Sequence, residues 1–113
     1  MEQLRRGTTT TAILKVLSEG PLYAYRIIQV LERRSQGLFT FTEGLIYPTL
    51  HRLERDGLLT SEWRVADGRS RKYYALSEAG RRRLAREERD IRAFARGIVR
   101  LLDHPGEAPG RGG

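Results

Sequence analysis

TEGLIYPTLHRLERDGLL, residues 42–59, predicts one helix followed by a turn and the start of a strand. Thr42 is suited to cap the helix, its side-chain oxygen taking an unpaired amide hydrogen of the first turn, and Glu43 sets a carboxylate on the positive end of the helix dipole. Ile46, Leu50 and Leu53 recur at steps of four and three and form one narrow apolar stripe. At about 100° per residue, Gly44, Pro48, His51, Arg52 and Arg55 fall on or near the opposite face, where Glu43 at the start is the only acid. Gly57 supplies the left-handed residue that closes a helix, and Leu58-Leu59 return the chain to a core. A short cationic helix anchored along one stripe suits the major groove of a duplex, where it can reach base edges and phosphates. The same pattern also describes an ordinary amphipathic surface helix, so the elements on either side decide between the two.

The chain has 113 residues, enough for one domain with a modest core. Its 21 lysines and arginines against 14 acids leave a net charge of +7, which favours an anionic polymer or surface as partner. There is no cysteine, which excludes disulfides and thiolate zinc sites. No apolar run approaches the roughly 18 residues of a membrane span, and the N-terminus lacks the apolar segment of a signal peptide. These features predict a soluble, cytoplasmic protein with no membrane partner.

Residues 1–7 (MEQLRRG) are short, basic and expected to fray, with Arg5 and Arg6 either solvated or within reach of a phosphate backbone. A first helix is predicted over 8–19 from Ile13, Leu14, Val16 and Leu17, its start blurred by four threonines, and Gly20-Pro21 ends it. A second runs over 22–35, with Ile27, Ile28 and Leu31, joined by Tyr23, inward and Gln29, Glu32, Arg33 and Arg34 outward. Residues 38–41 (LFTF) read as a short strand or an extended link. Three helices of this length with tight connections make a helix-turn-helix core.

A hairpin follows. Residues 59–65 alternate, with Leu59, Ser61, Trp63 and Val65 on one side and Thr60, Glu62 and Arg64 on the other. Ala66-Asp67-Gly68 is a turn signal, because Asp-Gly tolerates the positive φ a tight hairpin needs. Residues 69–76 (RSRKYYAL) return, which brings Arg64, Arg69, Arg71 and Lys72 to the tip. A cationic hairpin behind a basic helix fits a wing that lies on phosphates or dips into the minor groove. Charge that protects a sheet edge would look the same.

Ser77 and Glu78 open a last helix that runs to Leu102, before Pro105 and the glycines. Leu84, Ile91, Phe94, Ile98 and Leu101 are spaced seven, three, four and three apart, close to a heptad seam. A helix of about 26 residues is about 39 Å long, more than so small a body covers. The seam therefore calls for a second copy of the chain, in a symmetric dimer, unless the helix folds back on its own domain. The fold class is mainly α with a small β-hairpin (α+β): a winged helix-turn-helix over 1–76, a dimerisation helix over 77–102, and a disordered tail over 103–113.

Taken together, GLIYPTLHRLERDGLL, the EW of the following strand and DGRSRKYYALSEAG resemble the PadR family of bacterial transcription regulators, over about residues 5–100 and in its short branch. The resemblance implies a homodimer that represses a nearby promoter and releases the DNA when a small molecule binds. Tyr47, Pro48, Thr49 and Arg52 would then face double-stranded DNA, and Arg69, Arg71 and Lys72 would contact phosphate. Tyr73 and Tyr74 match the family's wing tyrosines, although strand alternation puts Tyr74 beside Leu76 and so in the core. Pro48, inside the helix, removes a hydrogen bond to Gly44 and should bend or loosen the first turn. Three positions depart from the family pattern: Arg26 stands where an acid is frequent, Leu45 where Thr or Ser is common, and Ile91 where some short relatives carry a tryptophan that stacks on flat drugs. The only tryptophan here is Trp63, in the wing, so a planar-drug pocket at the interface is not expected.

The alternative function is a winged-helix module that binds protein or coats nucleic acid without specificity, since fold does not fix function. Enzyme chemistry has little to stand on. His51 and His104 lack partners at triad or metal spacing, the carboxylates are scattered among arginines, and no glycine-rich phosphate loop joins a strand to a helix. No cofactor, metal or catalytic residue is expected.

Overall fold

The computed structural model describes residues 2–37 and 41–106, with side chains from residue 7 onward. Its elements in order are α1 (Glu2–Leu17), β1 (Leu22–Tyr23), α2 (Ala24–Ser35), α3 (Glu43–Arg55), β2 (Leu59–Ala66), β3 (Arg69–Leu76) and α4 (Glu78–Asp103). The strands form an antiparallel sheet in the order β1-β3-β2. The fold is thus α+β, with one strand more than the sequence pattern predicts. That strand is the first two residues of the expected second helix: Leu22 and Tyr23 pair with Tyr74 and Tyr73 before the chain turns helical at Ala24.

α3 has the ends that its sequence predicts. The Thr42 side chain accepts a hydrogen bond from the Leu45 amide at 3.3 Å. At the other end Gly57 has φ of 79°, its amide bonds to Glu54 O, and the Leu58 amide reaches back to Leu53 O at 2.9 Å. This is the Schellman closure, with Leu53 and Leu58 both buried beneath it. The helix runs unbroken through Pro48. Ile46, Leu50 and Leu53 lie in the core together with Ile13, Leu14 and Leu17 of α1, Ile27 and Leu31 of α2, and Leu59, Tyr74 and Leu76 of the sheet.

α1 begins at Glu2, earlier than expected, and takes the basic N-terminal segment into the helix. The side chains of Arg5 and Arg6 are outside the described residues. The threonine run is helical because tertiary contacts outweigh a propensity cost of tenths of a kcal/mol per residue. Thr9 and Thr10 are buried, and the Thr11 hydroxyl donates to the Glu87 carboxylate of α4 at 2.5 Å. Residues 38–40 of the expected strand or link also lie outside the described residues; Phe41 is buried in the core and belongs to no strand.

The start of α4 is locked to the end of α3. The Ser77 amide donates to Leu58 O at 3.1 Å, and the Ser77 hydroxyl donates to Gly57 O at 2.6 Å while accepting from the Gly80 amide at 3.0 Å. One turn into the helix, a Cβ on Gly80 would stand 2.2 Å from Leu58 O, so only glycine permits the approach. From there α4 packs against α1 and β3. Leu84, expected in a dimer seam, is 7 % exposed and belongs instead to the core of its own chain, because the first turns of α4 lie on the body. Beyond them the helix leaves the body, the molecule measures 71 Å along its longest axis, and Ile91, Phe94, Ile98 and Leu101 are exposed. Residues 104–106 follow in irregular, exposed conformation, and 107–113 of the expected tail lie outside the described residues.

Gly80→Ala should destabilise the fold by about 1–3 kcal/mol, since the methyl group meets a fixed backbone carbonyl and not a movable side chain. Urea unfolding followed by circular dichroism measures this; an unchanged midpoint would mean that the α3–α4 junction yields freely.

Candidate nucleic-acid interface

The outward face of α3 carries Tyr47, Pro48, His51 and Arg55, all exposed. Thr49, expected among them, is 6 % exposed and its hydroxyl donates to Leu45 O at 2.7 Å. Three residues after Ile46 and four before Leu53, it belongs to the side of the helix that packs on the core. Arg52 is half-buried, and its guanidinium donates to Thr10 Oγ1 at 3.2 Å, so it leans towards α1. Leu45, on the same flank, packs against the core.

The wing is β2 and β3 joined by Asp67-Gly68, both at positive φ (53° and 74°), which is the two-residue turn that matches the twist of a hairpin. Cross-strand pairs Leu59–Leu76 and Ser61–Tyr74 lie over α3; the next pairs on that face, Trp63–Lys72 and Val65–Ser70, overhang it. Trp63 is consequently 68 % exposed despite its alternation with buried Leu59.

Each of the wing's cations has a distinct setting. The Arg71 guanidinium lies 4.4 Å from the centroid of the Tyr23 ring, and Arg64 lies 4.9 Å from that of Tyr73 while pairing with Glu62 at 2.6 Å. The two tyrosine rings meet edge to face at 5.5 Å, so β1 props the outer side of the wing. Lys72 lies 3.4 Å from the Glu54 carboxylate and 5.4 Å from the Tyr74 ring. Arg69, at the tip, is exposed and makes no ion pair among the described residues.

Glu54 ties the last turn of α3 to the wing, because it accepts a short hydrogen bond from Ser61 of β2 as well as pairing with Lys72 of β3. The Ser61 hydroxyl, then Lys72 and His51, hold its carboxyl below the usual carboxylate range. Tyr74 moves the other way: burial raises its phenol above the ordinary value.

α3, the wing and the start of α2 enclose an open cleft of about 580 Å³, lined by Tyr25, Tyr47, His51, Trp63, Arg69 and Lys72 among others. Of these, Tyr25, His51 and Trp63 are absent from the contact residues that the sequence predicts, although the sequence does place His51 on the outward face of the helix. Tyr25 is 56 % exposed at the first turn of α2, and its position depends on β1, which the pattern did not reveal. Among the described residues no group of three or more His, Asp or Glu is placed to hold a metal ion, and no helix is long and apolar enough to cross a membrane.

Three helices with a two-stranded wing pressed on the third, and cations and aromatic rings gathered where helix and wing meet, define a winged helix-turn-helix protein. The model of the transcriptional regulator PadR-like family matches residues 13–86. Transcriptional regulator Rv3488 of Mycobacterium tuberculosis is 36 % identical over 104 residues, covering 92 % of this chain and 94 % of that one. A PadR family transcriptional regulator from Eggerthella lenta superposes with a TM-score of 0.76 at 34 % identity, over 89 % of this chain and 87 % of that one. A PadR-like transcriptional regulator from Bacillus cereus gives 0.81 at 25 % identity, over 93 % and 99 %. The chain belongs to the PadR-like family of transcriptional regulators.

Glu54→Gln tests the tie between helix and wing. Since the folded pKa lies below the unfolded one, the contribution of Glu54 is full above the ordinary carboxylate range and fades as the pH falls through the folded value. The variant should lose about 1 kcal/mol near neutral pH, the lower end for a charged hydrogen bond given partial solvent screening, and less at acid pH. Denaturant titrations at several pH values read this; a deficit that grows towards acid would contradict it.

Proposed function

We propose that this chain is a cytoplasmic, sequence-specific DNA-binding repressor that acts as a homodimer on a near-palindromic operator. Residues 1–76 are the DNA-binding unit and 77–102 hold the dimerisation helix, with 103–113 a tail. α3 enters the major groove and presents Tyr47, Pro48 and His51 to the bases, with Arg52 at its flank. Arg69, Arg71 and Lys72 on the wing neutralise phosphates. The observation that carries this reading is the meeting of the outward face of α3, whose one fully exposed acid is Glu43 at its start, with the wing cations around one cleft. Membership of a family of transcriptional regulators supports it. In this reading the base contacts discriminate, while the arginines supply most of the affinity and make it steeply salt-dependent.

The dimer rests on the exposed seam of α4. Phe94 is 62 % exposed and Leu101 74 %, with Ile91 and Ile98 between and beside them. Val99 and Leu102 widen the same apolar strip. Two copies joined there would set their α3 helices about one DNA turn apart, roughly 34 Å. Release of the operator by a small molecule, as in the resemblance above, requires two dimer geometries with different affinity for DNA.

Tyr47→Ala should weaken binding to the fragment upstream of the protein's own gene by about 1–3 kcal/mol and leave a scrambled duplex nearly unaffected. Arg69→Ala should weaken both equally and reduce the salt slope by about one. Fluorescence anisotropy at several salt concentrations separates the two patterns, and equal affinity of the wild type for both duplexes would leave a non-specific binder. Phe94→Glu, which places a charge in the seam without touching the body, should turn a dimer into a monomer in sedimentation equilibrium. A wild type that sediments as a monomer at micromolar concentration would remove the dimer from the reading.

A further inference from the structure

α4 carries a second feature besides its apolar seam. Arg82, Arg86, Arg89, Arg96 and Arg100 are spaced four, three, seven and four apart, so they share one side of the helix, with Ala93 completing the stripe. At about 100° per residue this side lies roughly half a turn away from Leu84, Ile91 and Ile98. All five arginines are exposed, and none of them has an ion-pair partner among the described residues. The acids of the helix are arranged otherwise. Glu87 and Glu88 face α1, where they meet Thr11 at 2.5 Å and Lys15 at 3.3 Å. Asp90 is about a quarter turn off the stripe, and Glu78 and Asp103 stand beyond its two ends. The result is a ridge of five unpaired guanidinium groups about 27 Å long.

A solvated helix face usually interleaves charges of both signs at i,i+4, which stabilises the helix; like charges at that spacing oppose it. This ridge keeps Arg82–Arg86 and Arg96–Arg100 at that unfavourable spacing. Nor does it resemble a surface for a folded protein, since no large apolar side chain lies along it and protein interfaces have an apolar centre. Unpaired arginines in a line suit a polyanion, whose condensed counterions they release on binding.

The ridge starts beside α3, since Arg82 is two residues past Gly80 at the α3–α4 junction, and then runs away from it along α4. α1 stands between the two helices: its Thr10 bonds Arg52 of α3, and the next residue, Thr11, bonds Glu87 of α4. At about 100° per residue the stripe lies roughly opposite Glu87 and Glu88, which face α1, although Arg89 also borders a shallow pocket with Ser18 at the end of α1. We propose that the arginine ridge of α4 is a second, sequence-independent binding surface for double-stranded DNA, which lets the protein hold a second duplex segment while α3 and the wing hold the first. The first half of this pairing rests on the function proposed above; the ridge itself does not.

The test is a bridging assay with the full chain. An immobilised duplex carrying the upstream fragment is loaded with protein and offered a fluorescent duplex of random sequence. Wild type should retain the second duplex at low salt and lose it about 500-fold in affinity between 50 and 200 mM, as expected for five neutralised phosphates. A variant with all five ridge arginines changed to glutamine should load on the immobilised duplex within about twofold of wild type but retain at least tenfold less of the second. Changing the five to lysine keeps the charge and should restore retention; this guards against a mere folding defect, as does an unaltered helical circular dichroism spectrum. Retention by the glutamine variant equal to wild type would overturn the proposal. So would failure of wild type to retain duplex while it holds polyglutamate at the same salt, which would assign the ridge to an acidic polypeptide. A third variant, Tyr47→Ala with His51→Ala and Arg69→Ala, separates the two readings. If it loads on the upstream fragment as well as wild type, the α3 interface is wrong, and the ridge still stands provided the glutamine variant loses DNA.

Discussion

The carbonyl of Leu58 is the point on which the molecule turns. It accepts the Ser77 amide, and Gly80 is packed against it so closely that a single carbon more would collide. The amide of the same residue closes α3 by reaching back to Leu53 O. One residue therefore ends α3, leads into the wing and receives the first turn of α4. Burial of Leu53, Leu58, Leu76 and Leu84 around it makes the arrangement stable, since backbone groups out of water must be paired. Everything that a duplex or a second copy would meet is aimed from this junction.

The wing needs support of its own, because only its first rungs lie over α3. On the inner side Glu54 supplies that support, holding both strands through Ser61 and Lys72. On the outer side the two residues of β1 do so, with Tyr23 against Tyr73 and beneath Arg71. Lys72 and Arg71 are consequently held in place by the protein itself, and an ordered cation would lose less entropy than a free one in the phosphate contacts proposed above. Arg69 at the tip has no such restraint.

Most of the fold could be read from residue spacing, and the reasons are local. Thr42, Gly57, Asp67-Gly68 and Ser77 each fix a backbone conformation by themselves, so the ends of α3, the hairpin turn and the start of α4 fall where their chemistry places them. What escaped depends on partners distant in the chain. β1 is extended only because β3 is beside it, and the residues LYAYR continue into a helix without a visible break. The site was legible in part. Tyr47, Pro48 and Arg69 are exposed, whereas Thr49 and Leu84 are packed inside their own chain: a family pattern marks a position without saying which way its side chain points. Arg52, Arg71 and Lys72 proved to be engaged within the protein, which sequence spacing alone does not reveal.

α4 is a rod of 26 residues fixed at one end. Such a rod magnifies angle into distance: one degree at the junction moves the far end by about 0.7 Å. Two copies joined by their rods, as proposed above, would pass that displacement on to the separation of their α3 helices, and a mismatch with the DNA repeat would have to be met by deforming the duplex. The missing side chain at Gly80 thus acts as a bearing without play, and the calibration of a molecule 71 Å long is kept at a position where there is no side chain at all.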